Sequence, residues 1–418
     1  MQWKQYLYQK PLQVLYIVLA ILVLKELIIV STLKGKVSPI ADGYSEANTI
    51  RGGTSFIEHG ITHYSGLPDT CYGNLLPDRG RLGMTLKKHG ETCSGAYTHY
   101  PPGPEYFAWF AMLIFGKENW RLLRLLPITF SILAGIFLIN TFFSLVGGGM
   151  KGLILGLLLL LPPMYSNYFH GLHHQQYAFT MFQAQICLCV LYFTQERFRK
   201  FWVLACFSLL GFVQGWMTFD FAFLATLFAI PLFILFRHEK KVGWGSLLTV
   251  GFASGIPYTL SHVLHFFQVV SYTGSIDAAI LDFTSAAAHR ASNAAEGGIA
   301  ANPKYDPKLI GPFTVAKDFL YRVAGRGKYL AINLINFIWI IIGLKFVRTI
   351  EFKKGWKFEF NISGADILAL AAAVVVSSLW SLVMKQHAHI HGFIARHYYY
   401  AYLMCCYLIV ARTKKISH

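Results

Sequence analysis

Charge is scarce in this sequence. Charged residues make up 14% of the 418 positions, against 55% hydrophobic residues. Apolar runs of about 20 residues, the length needed to cross a hydrocarbon layer roughly 30 Å thick, recur along the chain and exclude a soluble fold. The runs lack the short, alternating pattern of barrel strands, so they read as helices that satisfy their own backbone hydrogen bonds. A cleavage signal is lacking too. The run from Pro11 to about Val30 is too long for a signal-peptide core and no small-residue site follows it, so it is expected to remain as the first span. There is no internal repeat, no low-complexity tract and no separate soluble domain. The expected fold class is an all-α polytopic membrane protein, with residues 1–418 forming one transmembrane domain.

Lysine and arginine outnumber the acids by 37 to 20, giving a net charge of +17. In a soluble protein that excess would point to nucleic acid. Here the basic residues gather in short segments between apolar runs, as they do in cytoplasmic loops, so the charge reads as a topology signal and no nucleic-acid partner is expected. Ten spans are expected, at roughly 11–31, 125–146, 152–169, 177–194, 201–217, 220–236, 245–270, 329–346, 364–384 and 394–411. The stretch 201–236 reads as a hairpin with its turn near Gly215 to Asp220.

The apolar segment 103–116 is too short to cross and suits an interfacial helix. Parity supports that choice. With 103–116 on the surface, the basic segments 195–200, 237–241, 345–357 and 412–418 fall on the same side as the basic N-terminus. Counting it as a span would export all four. Both termini are then expected in the cytoplasm, with a bacterial inner membrane favoured over endoplasmic reticulum. Two long segments face outward, 32–124 with its interfacial helices and 271–328, together with short outer loops at 170–176, 214–220 and 385–397. Residues 285–307 read as a surface helix that runs into a loop.

The first outer loop opens with ADGYSEAN, which sets Asp42 and Glu46 four residues apart, on one face if helical. A carboxylate there, near Arg51, can accept a proton from a nucleophile; the plain alternative is that Asp42 caps a helix. Cys187, Cys189, Cys206, Cys405 and Cys406 lie in apolar runs and read as small buried hydrophobes. Cys71 and Cys93 share the first outer loop, and if it faces an oxidising compartment a disulfide between them can close it. Asp220 is an acid in apolar surroundings, where ionisable groups are costly and tend to be functional; the plain alternative is that it ends the hairpin at the outer surface, where most of that cost disappears. Lys25 and Glu26 can snorkel or pair locally.

The first outer loop ends THYPPGPEYFAWFAMLIFGKENWRLLRLLPITFS, a Pro-Pro turn, an aromatic-rich helix, a polar break and an Arg-Leu stretch. In this order and spacing, over about residues 1–236, the chain resembles the GT-C membrane glycosyltransferases, in the protein O-mannosyltransferase and aminoarabinose-transferase branch. The resemblance implies inverting transfer of a sugar from a polyprenyl-phosphate donor to a lipid, glycan or protein acceptor on the outer face. It assigns Asp42 as base or acceptor anchor, with Glu46 second. Where the family often carries another acid, this chain reads HGLHHQQYAF, so His170, His173 or His174 would have to fill that position. The departing phosphate needs cations, and the last outer loop, KQHAHIHGFIARHYYY, offers Lys385, His387, His389, His391, Arg396 and His397. The plain alternative for that loop is interfacial anchoring.

Other readings remain. HGLHH at 170–174 has the His-x-x-His-His spacing of membrane di-iron desaturases, with His262, His265, His387, His389 and His391 as further ligands. Only one full box is present, and it lies on the outer face. A milder version places a divalent metal at His173 and His174 to neutralise a phosphate leaving group. A non-catalytic transporter or assembly subunit would show polar or broken spans near the midplane.

Overall fold

The computed structural model describes residues 2–38, 43–69, 96–98, 100–160, 169–237, 239–291, 350–352, 356–358, 363–384, 387, 408–409 and 415–416. Helix α1 (Gln2–Thr32) runs through Pro11. It exposes Ile17, Ile21, Leu24 and Ile28 on one stripe and buries Leu15, Leu19, Leu22, Glu26 and Val30 on the other. These intervals of three and four residues are the helical period. Helix α2 (Gly43–His59) follows and packs on α3 (Gly103–Phe115). Thirteen residues extend about 20 Å, short of the hydrocarbon thickness, as the interfacial expectation requires. Between α2 and α3 the chain closes on itself: Asp69 bridges Ala96, and the Tyr97 amide donates to Pro68 O at 2.9 Å. Cys71 and Cys93 lie outside the described residues.

A 3-10 turn, Leu122–Arg124, leads into α4 (Leu125–Val146), followed by α5 (Gly149–Leu160), α6 (His174–Thr194) and α7 (Phe201–Met217). Next come α8 (Ala222–Leu227), α9 (Ala229–Phe236), α10 (Trp244–Thr273), α11 (Ile276–Ala291) and α12 (Gly364–Val383). Helices α4 and α7 coincide with expected spans. Among the described residues, five helices are long and apolar enough to cross a membrane: α1, α4 with its preceding turn, α6, α10 and α12. The expected spans 329–346 and 394–411 lie outside the described residues, Leu408 and Ile409 excepted.

Helix α6 is the axis of the bundle, buried from Gln175 to Phe193 apart from Ala184. Around it the apolar residues turn outward. Helix α10 exposes Leu248, Phe252, Ile256, Leu260 and Phe267 and buries Ser254, Tyr258, Ser261 and His265. Small residues then let neighbouring backbones touch. A Cβ added to Gly211 would meet Ser254 O at 2.3 Å, and one on Gly215 would meet Ser261 Oγ at 2.3 Å. This G-x-x-x-G contact between α7 and α10 corrects the expected turn: Gly215 is a helical packing position, and the helix continues to Met217.

Contacts between helix ends show which ends lie together. Arg124, before α4, donates to Lys36 O beyond the end of α1, and His170, before α6, hydrogen-bonds Glu26 near the end of α1. The start of α6 meets the turn that follows α7, and the second half of α10 reaches Thr98 through His265. Helix α12 ends at the same end of the bundle as α10, through His387. Strand β2 (Trp356–Phe358) pairs with β1 (Ile350–Phe352) and with β3 (Lys415–Ile416). This small ribbon, absent from the all-helical expectation, joins segments 345–357 and 412–418, which parity puts on one side.

Candidate functional site

Two polar assemblies occupy the end of the bundle where these loops meet. The first is a clasp. Arg124 grips Glu46 through both carboxylate oxygens, with Nη1 to Oε1 at 2.7 Å and Nη2 to Oε2 at 2.9 Å, and both side chains are fully buried. The Ser38 and Leu172 amides donate to the same carboxylate at 2.7 and 3.1 Å. Arg124 also donates to Lys36 O and His170 O. The His170 ring bridges Glu26 and Ser38 Oγ, and Lys25 pairs with Glu26 at 3.1 Å. Burial pushes the Glu46 carboxyl up, but the Arg124 hydrogen bond and charge, helped by the Ser38 amide, hold it below the ordinary carboxylate value. Glu46, surrounded by donors, and His170, bonded at both ring nitrogens, tie five segments together. That is an architectural task.

The second assembly is centred on Asp220. Helix α7 stops where Thr218 turns extended, and the Thr218 hydroxyl accepts the Asp220 amide at 3.1 Å, a local turn that lifts Asp220 out of the helix. The Tyr258 hydroxyl anchors this turn by donating to Thr218 O at 2.6 Å. Four residues from three remote segments then converge on the Asp220 carboxylate, which is 1% exposed. Gln175 Nε2 donates to Oδ2 at 3.2 Å, and the Tyr100 hydroxyl to Oδ1 at 3.4 Å. His174 Nε2 lies 3.6 Å from Oδ2 and His387 Nδ1 3.8 Å from Oδ1. The Tyr100 hydroxyl is also 2.7 Å from His387 Nε2, and the Trp380 indole donates to His387 Nδ1 at 3.3 Å. Chemically, a carboxylate between two imidazoles and a phenol can take a proton from a hydroxyl and set cationic groups near a phosphate.

The three histidines of the 170–174 segment have separate duties. His170 belongs to the clasp, His173 caps α6 by accepting the Gln176 amide, and His174 faces Asp220. Among the described residues no group of three or more histidines, cysteines or acids is arranged to hold a metal ion. Of the other expected ligands, His262 stacks on Phe219, and His265, one turn further along α10, bonds Thr98 O. Of the expected phosphate ligands, His387 is in the Asp220 assembly. Lys385, His389, His391, Arg396 and His397, like Asp42, lie outside the described residues.

Tyr100, Gln175 and Trp380 were not singled out from sequence, although Tyr100 directly precedes the Pro-Pro turn. Glu105, three residues beyond that turn in α3, was also missed. It is buried against Gly52, and burial raises its carboxyl to about 7. No family model, curated protein or solved structure matches this chain.

Proposed function

We propose that this chain is a GT-C-type membrane glycosyltransferase, moving a sugar with inversion from a polyprenyl-phosphate donor to a lipid, glycan or protein acceptor at the Asp220 end of the bundle. The observation that carries the reading is the convergence of Tyr100, His174, Gln175 and His387 on one buried carboxylate. Burying an acid is costly in a chain with few acids, and such groups concentrate at functional sites. In this reading Asp220 supplies the base missing from the HGLHHQQ loop, and Asp42 anchors the acceptor. Lys385, His391, Arg396 and His397, on the same final segment as His387, hold the donor phosphate. The enzyme would lie in a bacterial inner membrane, its termini in the cytoplasm.

The test is turnover of a labelled polyprenyl-phosphate sugar by the purified chain in vesicles, read as released polyprenyl phosphate. Removing a general base costs roughly 10²–10⁴ in rate, so Asp220→Asn and Asp42→Asn should each lose at least about 10² while remaining folded. Arg396→Ala should weaken donor binding more than acceptor binding. Full turnover in both aspartate variants contradicts the assignment.

One observation favours transport as a second reading. Gln183, midway along α6, is 1% exposed, and its amide has no hydrogen-bond partner among the described residues. With Gln176 and Thr180 it makes a polar stripe on the central helix, as a pathway through a bundle would require.

A further inference from the structure

The hydrogen bonds around Asp220 have a direction, and one donor sets it. An indole N–H can only donate. Because Trp380 Nε1 donates to His387 Nδ1 at 3.3 Å, that nitrogen must offer its lone pair. A neutral imidazole that accepts at Nδ1 carries its hydrogen on Nε2. His387 Nε2 then donates to the Tyr100 oxygen at 2.7 Å, which leaves the phenol hydrogen for Asp220 Oδ1 at 3.4 Å. The other carboxylate oxygen accepts from Gln175 Nε2 at 3.2 Å. Both carboxylate oxygens then accept, and the lone pairs left over are free to take a proton.

We infer that Trp380 and His387 are positioning residues which, through Tyr100, lock the polarity of this chain of hydrogen bonds and hold Asp220 as a terminal acceptor. The reverse polarity would need a hydrogen on Nδ1, pointing at the Trp380 N–H. Two donors would face each other. Trp380 is suited to this role because it is fixed: it is 4% exposed, in the last turn of α12, with its ring set nearly perpendicular to the imidazole at 83°. Were the cluster only a fastening for the end of α12, either tautomer of His387 would serve.

The inference deepens the proposed function, yet its readouts need no donor or acceptor, so its failure and the failure of the glycosyltransferase reading are separate results. The full chain is purified in detergent with ring-¹⁵N histidine, and the His387 signals are identified by their loss in His387→Gln. The wild type should show the Nε2–H tautomer. Trp380→Phe, which keeps an aromatic ring but deletes the donor, should lose that preference and populate Nδ1–H. With ¹³C-carboxyl aspartate, assigned through Asp220→Asn, the Asp220 signal should move in Trp380→Phe but stay unmoved when Trp380→Phe is added to Tyr100→Phe. A wild-type Nδ1–H tautomer overturns the inference even if no variant folds. An unchanged tautomer in Trp380→Phe, or an Asp220 response that survives loss of the Tyr100 hydroxyl, overturns it as well.

Discussion

Arg124 and Glu46, separated by 78 positions in the chain, form a two-pronged ion pair with no exposure to solvent. Breaking such a pair strands a buried charge at a cost of about 3–5 kcal/mol. Glu46→Ala and Arg124→Ala should each lower stability by about that much in detergent unfolding, and the double variant should lose less than their sum because the two act as one unit. Additive losses would mean that the side chains act independently.

The close approach of α7 and α10 yields a second expectation. Gly215→Ala puts a methyl 2.3 Å from Ser261 Oγ and 2.6 Å from Tyr258 O. Overpacking of this kind costs about 1–3 kcal/mol. Because Tyr258 also anchors the Thr218 turn, the strain should reach Asp220. Thermal unfolding and turnover should therefore both fall, whereas Gly243→Ala, with open space around it, should change neither.

Glu105 makes stability depend on pH. Its carboxyl is raised by burial from 4.5 to about 7. Between those values the folded chain keeps a proton that the unfolded chain releases, so stability falls as pH rises through that window and stays low above it. The difference corresponds to a loss on the order of 3 kcal/mol. Glu105→Gln, which cannot ionise, should flatten the slope between pH 5 and pH 8 and unfold at a higher temperature than wild type at pH 8. An unaltered slope would place the effect on another group.

Gln183 separates the two functional readings. Leaving a buried amide unsatisfied costs about 1–3 kcal/mol. Gln183→Met, close in volume, should therefore stabilise the protein, and under the glycosyltransferase reading it should leave turnover unchanged. Greater stability with lost activity would instead favour a polar pathway along α6.

The helices were legible where solvent decides the outcome. The ends of α4 and α7 follow from apolar runs that end in polar or glycine residues. The start of α6 came earlier than expected, at His174, because His173 spends its side chain on the cap. Gly215 was misread as a turn residue because its neighbour, α10, lies more than thirty positions along the chain. Asp220 stood out as an acid in an apolar run. Its partners did not, since Tyr100 and Trp380 look in sequence like ordinary interfacial aromatics, and only the packed bundle brings α12 to the turn after α7. Glu46 was selected by its local spacing from Asp42, which carries no information about Arg124.

In the glycosyltransferase reading the polyprenyl-phosphate donor binds at the end of the bundle that carries Asp220, its phosphate on the basic residues of the final segment. A photoreactive polyprenyl-phosphate, crosslinked to the reconstituted chain and mapped by peptide mass, tests this most directly. The account predicts label on peptides containing Tyr100, His174, Asp220 or His387, reduced by an excess of unlabelled polyprenyl phosphate. Competable label confined to the opposite end of the bundle, near Arg199 or Lys241, would contradict it.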